Sequence, residues 1–365
     1  MKKFTAILSL VLVVCLMAGC AGTTVVYYSD CTCPVDSHVQ APATEAPENT
    51  EAPVVAEGAV KTGLAIVTSV AKSAAATAEA EGQADYDVTI AAVNVDENGV
   101  ITACYIDSIG TAVNFGTDGV ITTDVTAAVL TKNELGDAYG MKAKEGEWGA
   151  KYEWYEQAAA LADYAVGKTV AELRAGAVNE EGKAVDVDLA STATIYLGGY
   201  VSAIEAAVAN AQHLGAQAGD ELKVAVLAGL TDSKSADAEN AGNAQLNVDA
   251  AAITLNGETI TSCAIDSVQA KVAFDVAGAI TSDVTAAVQT KNQLGEAYGM
   301  KAWAGAKYEW NEQASNFAAY VTGKTAADVA GIAIDEGTKP TDADLSASVT
   351  IAIGGFQALI AKAAN

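Results

Sequence analysis

The chain has 365 residues, with 46 acidic and 20 basic side chains, a formal net charge of −26 at pH 7 and only two histidines. This balance excludes non-specific nucleic-acid binding, which needs clustered lysine and arginine. Neither histidine lies in a duplicated stretch. The sequence therefore also excludes a repeated Ser-His-Asp or Cys-His catalytic centre.

The N-terminus carries the pattern of a secretion signal. Two lysines precede an apolar run over 4–17, which is too short to span a membrane. The sequence Leu-Met-Ala-Gly-Cys20 then resembles a bacterial lipoprotein cleavage box. We therefore expect residues 1–19 to be removed and Cys20 to be acylated, with a plain signal peptide as the alternative. Each buried CH₂ group of an acyl chain contributes about 0.8 kcal/mol of membrane affinity. The acyl chains would thus hold the protein to membrane lipid at the extracytoplasmic face.

Residues 20–58 are rich in proline, threonine and glutamate, and four of the five prolines lie here. Such a segment cannot bury enough apolar surface to order itself, so we predict a disordered tether. Its Cys31 and Cys33 do not supply four metal ligands.

An internal repeat organises the rest of the chain. The octet that begins at Ile101 returns at Ile260, an offset of 159 residues, and the runs Thr-Lys-Asn-x-Leu-Gly and Tyr-Gly-Met-Lys are duplicated with it. A period this long indicates duplicated domains rather than a solenoid. We place the domains at 59–215 and 219–365, and each is large enough for a core of its own.

Each repeat has the pattern of an α+β fold. Residues 87–107 alternate through an Asp-Glu-Asn-Gly turn, which predicts a β-hairpin. Thr169 is placed to cap a short helix after Gly167. Apolar spacing and helix-stop glycines predict further helices, at 124–136, 150–166, 200–214 and 356–364.

Two cysteines take equivalent places in the repeats, Cys104 and Cys263. Each lies inside an apolar alternating run, where a cysteine usually acts as a small buried hydrophobe. We therefore expect no disulfide framework in this protein.

One further stretch is duplicated, and it has an acidic residue six positions before a threonine. The two copies read Asp188-Leu-Ala-Ser191-Thr192-Ala-Thr194 and Asp344-Leu-Ser-Ala-Ser348-Val-Thr350. We predict extended chain here, which would place the acid and the threonine on one face and the apolar residues on the other. The small neighbours would leave the threonine hydroxyl open. The stretch is then either a half-buried strand or an attachment site.

Aromatic residues make up only 6% of the chain, yet they recur in matching windows with a methionine. The candidates are Tyr139, Met141 and Trp154 in the first repeat, and Tyr298, Met300 and Trp310 in the second. One interpretation is the core face of a helix, with Tyr152, Tyr155 and Ala159 at helical spacing. The other is an apolar platform for a flat, ring-shaped ligand beside the threonine.

The Asp/Thr stretch resembles the acceptor motif on which a flavin transferase esterifies FMN, through its phosphate, to threonine. The mature chain is similar to the doubly flavinylated lipoproteins of flavin-based extracellular electron transfer in Gram-positive bacteria, which are related to FMN-binding domains of ion-translocating oxidoreductases. The resemblance implies two tandem FMN-binding domains. It also implies covalent FMN on Thr194 and Thr350, with Asp188 and Asp344 as the acids that the transferase reads. The motif usually has glycine where Thr192 and Ser348 stand.

This resemblance implies a membrane-anchored electron carrier rather than a substrate-specific enzyme. It would accept electrons from a membrane NADH dehydrogenase, or from another donor on the quinone side, and would pass them to extracellular acceptors such as ferric iron or flavins. Two alternatives stay open on the residues alone. One is a solute- or peptide-binding surface lipoprotein without a redox cofactor, and the other is a purely structural duplicated module.

Overall fold

The computed structural model describes residues 58–144 and 150–365. The predictions for the signal, for Cys20 and for the tether with its two cysteines therefore lie outside the described residues. Within the described part, no helix has the length and apolar character needed to cross a membrane.

Each repeat begins with a three-stranded antiparallel sheet, and the predicted hairpin is confirmed. The first sheet has the order β1-β2-β3, formed by Lys61–Ser69, Gly82–Val95 and Ile101–Phe115. The second has the order β4-β5-β6, formed by Glu221–Gly229, Gly242–Asn256 and Thr259–Phe274. Asp96 closes the first hairpin turn, because its Oδ1 accepts hydrogen bonds from the Asn98 and Val100 N–H groups at 2.9 and 2.8 Å.

The helices of each repeat follow its sheet. In the first repeat they are α1 Lys132–Leu135, α2 Trp154–Ala165, α3 Val170–Ala177, α4 Val187–Thr192 and α5 Gly198–Ala209. In the second they are α6 Lys291–Leu294, α7 Met300–Ala304, α8 Trp310–Val321, α9 Ala326–Ala330, α10 Ala343–Ser346 and α11 Gly354–Ala364. The described residues also form three short 3₁₀ turns, at Gly136–Tyr139, Lys142–Lys144 and Gly295–Tyr298.

The prediction of a helix over 124–136 is wrong for most of this range. Asp124 accepts hydrogen bonds from both the N–H and the hydroxyl of Thr126, at 3.0 and 2.6 Å, and this local bonding holds a turn instead of a helix. The helix begins only after Thr131, whose side chain forms a capping box with Glu134.

The helix predicted over 150–166 is confirmed as α2, and Thr169 caps α3 as expected. The interpretation in which Tyr152, Tyr155 and Ala159 form the core face of this helix is wrong, because Tyr152 and Ala159 are exposed. The buried face begins instead at Trp154 and continues through Ala158, Leu161 and Ala165. The helices predicted over 200–214 and 356–364 are confirmed as α5 and α11, with α5 ending earlier.

The core has three layers of apolar side chains. Along β2, Ile90 and Ala92 face a central layer to which both sheets contribute, whereas Ala91 and Val93 face the helices of the first repeat. The second sheet packs on its own helices in the same way. At the centre the rings of Phe115 and Phe274 stack at 4.1 Å between centroids. The architecture is thus α+β, and the described residues of both repeats belong to one compact unit.

The two repeat cysteines behave as small hydrophobes. Cys263 is buried, Cys104 is half-buried, and both are free thiols. Burial raises the pKa of each thiol to about 12, so neither is poised to react as a thiolate.

Candidate functional site: the duplicated threonine loops

The extended conformation predicted for the Asp/Thr stretch is wrong at its acidic end. Residues 187–192 form α4, because Asp186 caps the helix: its Oδ1 accepts the N–H groups of Asp188 and Leu189, both at 3.0 Å. The chain leaves the helix at Ala193, which is extended with φ −96° and ψ 106°. Asp342 caps α10 in the same way. Asp188 and Asp344 are therefore first-turn residues with exposed side chains.

Thr194 lies just beyond the end of α4, and a buried amide holds it in place. The Oε1 atom of Gln157, on α2, accepts the Thr194 N–H at 2.7 Å, the Thr194 hydroxyl at 3.3 Å and the Ile195 N–H at 3.2 Å. Gln157 has no exposed surface, whereas Thr194 is exposed. The loop is thus fixed from inside at an exposed threonine, whose hydroxyl donates to the buried amide.

The second repeat builds the same arrangement around Thr350. The Oε1 atom of Gln313 accepts the Thr350 N–H at 2.8 Å, the Thr350 hydroxyl at 3.2 Å and the Ile351 N–H at 3.2 Å. Neither glutamine is predicted from the sequence as a site residue, because glutamine is usually a solvated surface side chain. Their signal is the hexad Glu-Trp-x-Glu-Gln-Ala, which occurs once in each repeat.

Gln157 also connects the threonine loop to the aromatic window of the first repeat. Its Nε2 donates to the Tyr152 carbonyl at 2.9 Å and approaches the Met141 sulfur at 3.6 Å. In the second repeat Gln313 donates to the Tyr308 carbonyl at 2.9 Å. The structure therefore brings Thr194 and Met141 together through one side chain.

A buried glutamate holds the Tyr-Gly-Met-Lys run in each repeat. Glu153 accepts the N–H groups of Met141 and Lys142 at 2.7 and 3.0 Å. Glu309 accepts those of Met300 and Lys301 at the same two distances. Because the carboxylate is buried and binds two backbone donors, it fixes the position of the methionine relative to the helix that follows.

The lysine of the Thr-Lys-Asn run lies against two aromatic rings. The Nζ atom of Lys132 is 5.2 Å from the Tyr139 ring centroid and 5.1 Å from that of Trp154. Burial lowers the pKa of the Lys132 ammonium. Lys291 has the same relation to Tyr298 and Trp310, at 5.3 and 4.7 Å, and burial lowers its pKa as well.

The two candidate tryptophans belong to the core rather than to an open platform. Trp154 is 1% exposed and its Nε1 donates to the Tyr200 hydroxyl at 3.0 Å. Trp310 is 6% exposed and lies edge-on to Phe356. Tyr139 and Tyr152 are each 37% exposed in the first window, and Trp303 is 74% exposed in the second, so these rings offer the surface that a flat ligand can reach.

The serines of the stretch bond locally. Ser191 donates through Oγ to the Asp188 carbonyl at 2.7 Å, and Ser348 donates to the Leu345 carbonyl at 3.4 Å. Both bonds stay within the short helix and its end. The acidic end of the stretch and its threonine are therefore separated by one helix.

The side chains around each threonine can be compared with what a cofactor or a metal ion requires. Among residues 58–144 and 150–365, no group of three or more His, Cys, Asp or Glu side chains is arranged to hold a metal ion. Each repeat presents an exposed threonine, a tyrosine and a methionine that are at least partly exposed, and a half-buried lysine against the tyrosine ring. These residues fit a phosphate-linked aromatic group, because the hydroxyl can form the ester and the lysine supplies positive charge.

Comparison with known proteins gave no match, neither to a family model, nor to a curated protein, nor to a solved structure.

Proposed function

We propose that Thr194 and Thr350 each carry FMN through a phosphoester bond, and that the protein is a membrane-anchored extracellular electron carrier. The observation that supports this most directly is the duplicated loop. Two exposed threonines follow the same motif, and the hydroxyl of each donates to an equivalent buried glutamine. A purely structural loop does not require the same exposed threonine in both repeats.

The chain's own residues position and surround the attached group. Gln157 fixes the loop that carries the exposed Thr194, and Tyr139 offers a partly exposed ring two residues before Met141, which Gln157 also contacts. Lys132 places a positive charge under that ring. Bound FMN would supply reversible one- and two-electron chemistry, while the protein supplies position and field.

A covalent bond suits a protein outside the cell. A pocket that held FMN at a dissociation constant of about 1 μM would contribute about −8 kcal/mol, and free cofactor would still diffuse away. The proposed partners are the flavin transferase, a membrane NADH dehydrogenase or quinone-side donor, and ferric iron or soluble flavins as acceptors. Cys20 would attach the carrier to membrane lipid.

The experiment is intact-mass analysis of the mature protein produced with a flavin transferase. We expect a gain of two FMN groups, each less one water. Each ester forms a bond between the threonine oxygen and the phosphorus, while the threonine O–H bond and one P–O bond of the flavin donor break and the proton leaves with the displaced oxygen group. Thr194→Ala and Thr350→Ala should each remove one group, and the double variant should be colourless. Thr192→Ala, which changes a neighbouring hydroxyl, serves as the matched control and should keep both.

A mature protein that leaves this co-expression at its bare polypeptide mass would refute the proposal. Retention of two FMN groups by the Thr194→Ala, Thr350→Ala double variant would place the attachment elsewhere and would refute the site.

A further inference from the structure

A cavity of about 640 Å³ lies between the end of α5 and the second repeat. It is lined by polar side chains of both repeats, among them Asn210, Gln212, Cys263, Asp266, Asn292 and Asn311. None of the threonine-loop residues takes part in it. This cavity is therefore separate from the proposed attachment sites.

The first repeat shows which chemical group occupies the equivalent place. Tyr105 packs there, and its hydroxyl donates to Asp107 Oδ2 at 3.1 Å. The Nδ2 atom of Asn133 donates to the same tyrosine oxygen at 3.0 Å and to the Ile106 carbonyl at 2.9 Å. A phenol is thus bound between a buried carboxylate and an amide.

The second repeat keeps the binding groups and lacks the phenol. Ala264 stands where Tyr105 stands, since Tyr105 pairs with Ala92 in the first sheet and Ala264 pairs with Ala252 in the second. Asp266 Oδ1 still accepts the Ser267 and Asn292 N–H groups, at 2.7 and 3.1 Å.

One polar atom at this cavity is buried without a partner. The Oδ1 atom of Asn311 accepts no hydrogen bond from the described residues. Asn292 is exposed and still donates to the Ile265 carbonyl at 2.9 Å, and Ala264 stands in place of the tyrosine that accepts a hydrogen bond from Asn133 in the first repeat. Buried polar atoms are normally hydrogen-bonded, so the Asn311 oxygen favours a polar occupant.

We propose that this cavity is a binding site for a small phenolic molecule. Its hydroxyl would donate to Asp266 and accept from Asn292, as the Tyr105 hydroxyl does between Asp107 and Asn133. A cavity of about 150 Å³ is enough to bind benzene, so the space here admits more than one ring. The remainder of the ligand would extend toward Asn311 and would donate a hydrogen bond to its oxygen.

The test uses p-cresol, which is the tyrosine side chain itself, and toluene, which has the same ring without the hydroxyl. We expect p-cresol to bind the wild-type protein at least about tenfold more tightly than toluene, by isothermal titration calorimetry, because the site has a hydrogen-bonding position for the hydroxyl. Ala264→Tyr should abolish p-cresol binding at this position, since the new phenol takes the place between Asp266 and Asn292.

Tyr105→Ala provides the matched control, because it opens the equivalent place in the first repeat. This variant should bind a second equivalent of p-cresol. The proposal is overturned if wild-type protein binds p-cresol and toluene equally or binds neither, or if folded Ala264→Tyr still binds p-cresol. The comparison of the two ligands on wild-type protein decides the question even if Ala264→Tyr fails to fold. Protein without any attached flavin can be used throughout, so failure here leaves the proposed function untouched.

Discussion

Gln157 and Gln313 are the residues on which the threonine loops depend most directly. Each is buried, and each uses one oxygen for two backbone N–H groups and a hydroxyl. An exposed ion pair such as Lys142–Glu156, at 3.1 Å, is worth little by comparison, because water screens it. Removal of the amide would leave buried donors unsatisfied, and that cost is larger than the net gain of an ordinary hydrogen bond.

We predict that Gln157→Leu lowers the free energy of unfolding by about 1–3 kcal/mol, because the Thr194 and Ile195 N–H groups lose their acceptor. The variant should also load less FMN at Thr194 while Thr350 loads normally. Urea unfolding measures the first effect, and mass analysis of the two threonine peptides measures the second. Thr350 is an internal control within the same molecule. Equal loading of both threonines would show that the glutamine does not position the acceptor.

At the scale of elements, the short helices α4 and α10 separate Asp188 from Thr194 and Asp344 from Thr350. Asp188 lies in the first turn of α4 with an exposed carboxylate, while Asp186 uses its carboxylate to cap the helix. The two acids, two positions apart, thus have different physical roles. The neighbouring pair allows the structural and the proposed recognition roles to be tested apart.

We predict opposite outcomes for Asp186→Ala and Asp188→Ala. The first should cost about 1 kcal/mol of stability, because the N–H groups of Asp188 and Leu189 lose their cap. The second should change stability by less than about 0.5 kcal/mol, as expected for a surface position, yet should reduce FMN loading at Thr194. Thermal unfolding and intact mass separate the two. Full loading of Asp188→Ala would contradict the role of this acid in recognition by the transferase.

The sequence predicts some of these elements and not others, for physical reasons. The hairpin and α2 were predictable, because alternation, a turn with Gly99 and a stop at Gly167 are strong local signals. The Asp/Thr stretch reads as extended because its residues are small and also alternate. The signal for a helix is Asp186, which lies two positions before Asp188 and caps the helix. The role of Gln157 could not be inferred, because its partners lie 37 and 38 residues away.

At the scale of the whole molecule, the two repeats are joined by more than sequence. Phe115 and Phe274 stack at the centre of the shared layer. Two equivalent backbone hydrogen bonds also join the repeats. The Ala76 N–H donates to the Gly278 carbonyl at 2.9 Å, and the Ala236 N–H donates to the Gly119 carbonyl at 2.8 Å. Each repeat therefore completes the core of the other.

We predict that Phe115→Ala destabilises both repeats together, by about 3–5 kcal/mol, because it removes a buried ring and leaves a cavity in their common layer. Hydrogen exchange followed by mass spectrometry should show faster exchange in β2 and in β5 alike. Val187→Ala, at a side chain that is 82% exposed, is the control and should leave exchange unchanged. Faster exchange confined to the first repeat would mean that the halves unfold independently.

The stacked phenylalanines also limit how far apart the two threonine loops can lie. Because both sheets pack on one layer, the two threonine loops cannot drift apart or approach without breaking that layer. Any pair of redox groups carried there would exchange electrons across a separation fixed by the fold, with one characteristic rate instead of the spread that a flexible linker produces.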